Sequence, residues 1–438
     1  MAVASANPGL GRRAGNDERI RDAALAEALA LGPDRLGPTA VARRAGLSTG
    51  AVYARYEDHA ELLVDLWVNR CRVEVGDLVE LGLDYLLGGG DDEDRDELLH
   101  RLANPSAGCR VGLDLLTLTH REDALAEVVG VDTARAFERW RLGSDHDPAG
   151  TAATALVLSI LLGLMTLDAH GPRCTVVPPV GRPPGPVGDQ SSAGAASLVP
   201  EHLASATDAE AAGGGAIDWC SALGWLRAAL ARPPEIVELP SFVRPLLPEV
   251  AGLDTDQTRA MLMQSCMEVI ARVGLARATA TRIGRRAGMT HGAIYGLYES
   301  KEELLCDSVR VITDAVMRSD RAHLSATYFD GVDWGEAVTG LLATMGGEER
   351  RSWRLFRMES HLAARHHPEV ARSLDWVYGR IFAMDTVVAS ASGLIDPAVA
   401  RAATRIALAI PLGYVHLAVV APDPLASVDW SLAPSLLG

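Results

Sequence analysis

Apolar positions recur at helical spacing along this chain, and the plan they trace occurs twice. Ile20, Ala23, Ala24, Ala28 and Leu31 predict a supporting helix from Asp17 to Leu31, ended by Gly32 and Pro33. A long helix is expected from Ala60 to about Leu87, ended by Gly88, Gly89, Gly90 and an acidic loop. Further helices are expected near 93–103, 109–119, 122–141 and 148–170, and from Trp219 to Leu230. The second half repeats the plan at 256–273, 300–325, 333–345, 349–364, 369–391 and 397–420. Pro411 should kink or shorten the last of these, because its ring removes a hydrogen bond and crowds the preceding turn. Residues 1–15 are small and polar and predict disorder.

Before the long helix of the second half stands TRIGRRAGMTHGAIYGLYESKEELL, Thr281 to Leu305. Ile283 and Ala287 share one face of a short helix. Gly288 ends it, since glycine takes the left-handed cap conformation without steric cost. Thr290 can cap the next short helix through its side-chain oxygen. Ile294 and Leu297 then face inward, while His291, Gly292, Ala293 and Tyr295 face out. Two helices around a short glycine-containing turn are the helix-turn-helix pattern, whose second helix enters the DNA major groove.

TAVARRAGLSTGAVYARYEDHAELL, Thr39 to Leu63, repeats these words 242 positions earlier without a gap. Arg43, Arg44, Ala45 and Gly46 match Arg285, Arg286, Ala287 and Gly288, and Gly50 and Ala51 match Gly292 and Ala293. Tyr53, Tyr56 and Glu57 match Tyr295, Tyr298 and Glu299, and Glu61, Leu62 and Leu63 match Glu303, Leu304 and Leu305. Farther on, Ala152, Ala153, Thr154, Leu162, Gly163 and Pro172 match Ala402, Ala403, Thr404, Leu412, Gly413 and Pro422 at a spacing of 250. Asp218 and Trp219 are similarly matched by Asp429 and Trp430. The repeat thus covers a whole unit. Its run of Ala-Gly, Ser/Thr, Gly, Tyr, Tyr and Glu-Leu-Leu resembles the DNA-binding domain of the TetR family of transcriptional regulators. The resemblance is tight over about 50 residues in each copy and loose beyond.

The expected fold is all-α: two tandem TetR-like units, each a helix-turn-helix domain followed by a helical ligand-binding and dimerisation domain. The first DNA-reading head is placed at 16–65 and the first regulatory domain at 66–230, with a Pro-, Gly-, Ser- and Ala-rich flexible insertion at 174–215. A proline-marked linker at 231–253 leads to the second head at 254–306 and the second regulatory domain at 307–438. The family works as dimers, so the resemblance implies an intramolecular pseudo-dimer, with a higher oligomer left open. It also implies double-stranded operator DNA and a small-molecule effector as partners, no cofactor, and ligand-responsive action as a repressor. The alternative is a helical interaction protein whose first head has lost DNA recognition.

The residues expected at DNA follow from these alignments. Arg43, Arg44, Arg285 and Arg286 contact phosphates or form a solvated helix face. Ser48, Thr49, Thr279, Thr290 and His291 lie at or before the helix starts, and Tyr53 and Tyr295 offer exposed rings and hydroxyls. Gly50 and Gly292 let the backbone approach DNA. Lys301 stands where the family places a phosphate-contacting lysine, and His59 replaces it in the first copy. Arg55 can donate two hydrogen bonds to guanine, whereas Leu297 stands in its place in the second copy. A head pair of this kind prefers two dissimilar half-sites.

Charge changes this picture in one respect. The net charge is −16, yet 257–305 holds seven Arg or Lys against four Asp or Glu, while 16–65 holds six Arg against nine. The second head is locally positive and the first is electrostatically poor. Apolar residues make up 48% of the chain, ample for a core. The apolar run 155–167 is short of the ~20 residues a bilayer needs and reads as a core or dimer helix, without a membrane partner. Six cysteines without metal spacing and no secretory leader point to reduced thiols and the cytoplasm. His361, His366 and His367 lack the i, i+4 spacing of a metal pair. No Gly-rich phosphate loop, GxSxG or HExxH occurs, so no enzyme is expected.

Overall fold

The computed structural model of the chain describes residues 8–140, 147–167, 217–232, 256–329, 347–392 and 396–432, and among these no strand forms. The insertion at 174–215, the linker from 233 onward and the helix expected at 333–345 lie outside the described residues. Helices α1 (Pro8–Leu31), α2 (Pro38–Ala45), α3 (Thr49–Tyr53), α4 (His59–Leu66) and α5 (Arg72–Leu83) come first. Next are α6 (Asp92–Ala103), α7 (Ala107–Leu118), α8 (Asp123–Arg139), α9 (Pro148–Leu167) and α10 (Trp219–Leu230). The second half begins with α11 (Gln257–Arg277), α12 (Ala280–Ala287), α13 (His291–Tyr295), α14 (Lys301–Ser308) and α15 (Asp314–Phe329). It ends with α16 (Arg351–Ala364), α17 (Pro368–Ser392), α18 (Pro397–Val420) and α19 (Pro422–Ala426). The bounds of α2, α3 and α4 lie 242 positions before those of α12, α13 and α14. Two π-helical turns, Trp67–Cys71 and Val309–Thr313, keep the same spacing.

Glycines and capping side chains set the breaks. Gly32 turns the chain out of α1 at φ 87°, and Gly274 bends α11 at φ 74°, a region that only glycine enters without strain. Asp58 accepts the Glu61 N–H at 2.9 Å and Ser300 accepts the Glu303 N–H at 3.0 Å, so α4 and α14 open on side-chain caps. Helix α6, expected near 93–103, opens at Asp92 within the acidic segment after Gly90. Asp91 accepts the N–H groups of Glu93 and Asp94, and the Asp94 carboxylate accepts the Asp91 N–H at 2.9 Å. That reciprocal box satisfies donors that a helix start otherwise leaves open. The chain is helical from Pro8, where the composition predicts disorder. Helix α18 continues through Pro411 to Val420, so the proline does not shorten it.

The core centres on the crossing of α9 and α18. Every residue of α9 from Thr151 to Leu167 is buried. A Cβ added at Gly163 would overlap the Ala409 carbonyl oxygen, and one at Gly413 would overlap the Ser159 carbonyl oxygen. The two backbones are therefore in contact, which small residues alone permit. At one end the Thr166 hydroxyl donates to the Leu162 carbonyl at 2.8 Å and lies 3.1 Å from His416 Nε2. His416 is 1% exposed, and burial pushes its pKa down to about 3, so it stays neutral and donates from Nε2. Both helices are long and apolar enough to cross a membrane, but the most apolar window of α9 is 94% buried inside the molecule.

Candidate nucleic-acid interface

Each head is a three-helix unit closed over a small apolar core. In the first, Val41, Ala42, Ala45 and Val52 are buried. In the second, Ile283, Ala287 and Ile294 take corresponding places. Gly46 at φ 64° and Gly288 at φ 67° cap α2 and α12 in the left-handed conformation, as the sequence predicts. A buried tyrosine then locks the third helix. Tyr56 donates to Asp65 at 2.9 Å and Tyr298 donates to Asp307 at 2.7 Å. Burial and the Asp65 carboxylate push the Tyr56 pKa up to about 12, so the phenol remains a donor. Each aspartate also holds an arginine of the supporting helix, Arg21 in the first head and Arg259 in the second.

The predicted DNA-facing residues fall into two groups. Arg43 and Arg285 are exposed, and their side chains make no hydrogen bond or ion pair among the described residues. Tyr53 and Tyr295 project from α3 and α13 at 56% and 49% exposure. Gly50 and Gly292 are exposed, and a Cβ at either would meet nothing closer than 3.9 Å. Internal packing therefore does not demand glycine at these two positions. Thr49 is half-buried at the start of α3. The His291 side chain lies outside the described residues.

The remaining residues are engaged within the chain. Arg44 pairs with Glu27 at 2.7 Å, and Arg286 pairs with Glu268, so both brace the supporting helix. Arg55 is turned towards Asp17 of α1, with 3.6 Å between the charged atoms. His59 Nε2 lies 3.0 Å from the Pro33 carbonyl. Lys301 donates to the Leu275 and Ala278 carbonyls at 3.1 and 3.2 Å, closing the C-terminal end of α11. Ser48 accepts the Ala51 N–H at 3.3 Å, and Thr279 accepts the Arg282 N–H at 3.3 Å. Two expectations are corrected. Thr290 occupies the N-cap position of α13 but makes no side-chain capping bond. Leu297 is 40% exposed and not inward, because α13 ends at Tyr295 and the helical face that predicted its burial is not continued.

Beneath the heads lies a polar junction that no sequence pattern announces. Arg121 donates to both Asp34 oxygens at 2.7 Å and to Glu359 at 2.9 Å, while His120 Nε2 lies 2.8 Å from Glu359. Burial opposes the Arg121 charge, but Glu359 and Asp34 outweigh it and hold its pKa above the ordinary arginine value. Arg365 reaches across to the Asp114 carboxylate and to the Arg110 carbonyl. Burial outweighs that guanidinium and raises the Asp114 pKa to about 7. Arg277 pairs with Glu122, and Arg35 donates to His367 Nε2 at 3.3 Å. The His366 ring lies over Gly32, its pKa pushed down to about 4 by burial. A small cleft here is lined by Gly32, Asp34, Leu275, Glu359, Ala363 and His366. These partners stand far apart in the chain, so only the tertiary fold reveals them. Five of the six cysteines are free thiols among the described residues, and Cys174 lies outside them.

Glycine-capped helix pairs with exposed tyrosines and arginines define a helix-turn-helix protein. Residues 262–306 match the family model of bacterial regulatory proteins, tetR family, a span covering most of α11, all of α12 and α13 and the start of α14. The match supports membership of that family and a role in DNA-binding transcription regulation. None of the curated proteins compared matches the chain.

Proposed function

We propose that this chain is a transcriptional regulator made of two TetR-like units in tandem, folded as a single-chain pseudo-dimer. It acts as a ligand-responsive repressor on double-stranded operator DNA. The observation that carries this reading is reciprocity. Gly163 meets Ala409 and Gly413 meets Ser159, each glycine lying 250 positions from its counterpart, as do Thr166 and His416. A two-fold dimer interface repeats its contacts in this way, with residue i touching j and j touching i. The junction adds a second reciprocal set. His120 with Glu359 is answered by Arg365 with Asp114, and Arg277 with Glu122 by Arg35 with His367.

The DNA contacts proposed are Arg43, Arg285, Tyr53 and Tyr295, with Gly50 and Gly292 admitting the phosphate backbone. An effector would act by favouring an arrangement in which the heads no longer match the half-site spacing, through unequal affinity for the two arrangements. One observation favours a second reading, in which the first head is degenerate. Its segment carries net negative charge, and Arg21, Arg44 and Arg55 are all paired with carboxylates of the same chain. Selection of bound sequences from random DNA by the purified chain tests both. Two dissimilar half-sites support the proposal, and a single half-site points to a degenerate first head. No enrichment would overturn the DNA-binding role.

A further inference from the structure

In the second helical body, α16 buries two arginines that form no ion pair among the described residues. Arg357 is 2% exposed. Its Nε donates to the Tyr378 hydroxyl at 3.1 Å and its Nη2 to the Leu408 carbonyl at 3.1 Å. Its guanidinium carbon lies 5.7 Å from the ring centroids of both Trp353 and Tyr378. One turn earlier, Arg354 is 8% exposed and donates to the Gly347 carbonyl at 2.7 Å. Among the described residues neither guanidinium forms an ion pair, and burial lowers the Arg354 pKa despite the charges of Glu348 and Glu349. The Trp353 indole, 2% exposed, has an N–H with no acceptor among the described residues. Buried ions are ordinarily paired, because the cost of leaving water is otherwise uncompensated. Positions 353, 354 and 357 lie on one face of the helix.

The fold itself does not call for these side chains. Matching the Asp114–Arg365 and His120–Glu359 pairs sets α7 against α16, and Gly108, Cys109 and Gly112 then stand opposite Trp353, Arg354 and Arg357. In α7 those glycines allow close packing, since a Cβ at Gly112 would press on Val75 and one at Gly108 on the Arg70 carbonyl. One half fills the place with backbone and the other with two cations and an unused donor.

We propose that Trp353, Arg354 and Arg357 form the binding site of a small organic oxyanion, a molecule with a carboxylate, phosphate or sulfonate head. This rests on reading the chain as effector-responsive and names the chemical class of that effector. The anion supplies the missing counter-charge, accepting from the guanidiniums and from the Trp353 N–H. The first body, with no such cations at the matching positions, does not bind it, so one chain carries one effector.

The test uses the full chain and thermal unfolding at fixed ionic strength, with benzoate, phenyl phosphate and benzenesulfonate as probes and benzamide as the neutral control. At least one anion should raise the unfolding temperature by about 3 °C or more and saturate at one per chain, while benzamide has no effect. Arg357→Met and Arg354→Met should each abolish that response. Both variants should unfold at or above the temperature of the unliganded parent, because an uncompensated charge has been removed. The assignment is overturned if no anion shifts the transition or if benzamide shifts it equally. It is also overturned if the folded Met variants respond like the parent. DNA takes no part in this assay, so its failure leaves the operator-binding reading to the selection experiment.

Discussion

The two helix-turn-helix units share a scaffold and differ in part on the outside. Both turn at a left-handed glycine, lock a tyrosine on an aspartate, and close the end of the supporting helix from the start of the next long helix, through His59 in one and Lys301 in the other. Their outer faces have diverged at some positions only. Arg55 is tied to Asp17, whereas the second head exposes Leu297 and uses Arg259, at the place of Asp17, to hold Asp307. Contacts that make the fold are repeated, as are the exposed Arg43 and Arg285, Tyr53 and Tyr295, and Gly50 and Gly292, so the divergence is confined to positions around them. The same contrast separates the bodies, which share the α9 and α18 crossing but not the buried arginines of α16.

The crossing should be the hardest feature to alter. Gly163→Leu forces a side chain into the Ala409 carbonyl, and we expect loss of about 3 kcal/mol or more, or of cooperative unfolding altogether. Gly413→Leu should cost as much if the two glycines are equivalent. Gly224→Ala, with nothing within 4 Å of the new Cβ, should stay within about 0.5 kcal/mol by denaturant titration.

The junction comes next. Glu359→Gln removes the carboxylate from His120 and leaves Arg121 with Asp34 alone, and should cost about 3 kcal/mol. Asp114 adds a pH dependence of definite sign. Its pKa rises from an ordinary 3.8 to about 7 on folding, so the stability it contributes is fully present below about pH 4 and is lost as the pH rises through 7. Asp114→Asn should remove that decline between pH 4 and 8 in a series of urea titrations. An unchanged profile would place the titration elsewhere.

Smaller effects separate the heads. Gly46→Ala and Gly288→Ala should each cost about 1 kcal/mol, since both impose a left-handed backbone on a residue with a Cβ. Arg43→Ala or Arg285→Ala should lower DNA affinity uniformly and reduce the slope of log affinity against log salt by about 1. Arg44→Ala and Arg286→Ala, already paired with glutamates, should change the slope little. A head in which the arginine substitution leaves the slope untouched does not hold DNA.

Much of this is legible in the sequence. Periodicity located α10 and α18 to the residue, and Gly46 and Gly288 marked both turns, because caps and apolar spacing are local signals. Leu297 misled because its spacing matched a helix that stops two residues short of it. The start of α6 is legible to within a residue, though not the capping role of Asp91 and Asp94. Lys301 showed its family position but not its carbonyl partners. The Arg121 and Arg365 networks were invisible, since each joins residues that only the packed chain brings together.

The central claim is that one chain supplies both heads to one operator. The mass of the protein–DNA complex in solution, measured by light scattering on a duplex recovered by selection, tests it most directly. The account predicts a single chain of 46.4 kDa per duplex, spanning two dissimilar half-sites about one helical turn apart. Two chains seated on a perfect palindrome, each using one head, would contradict it.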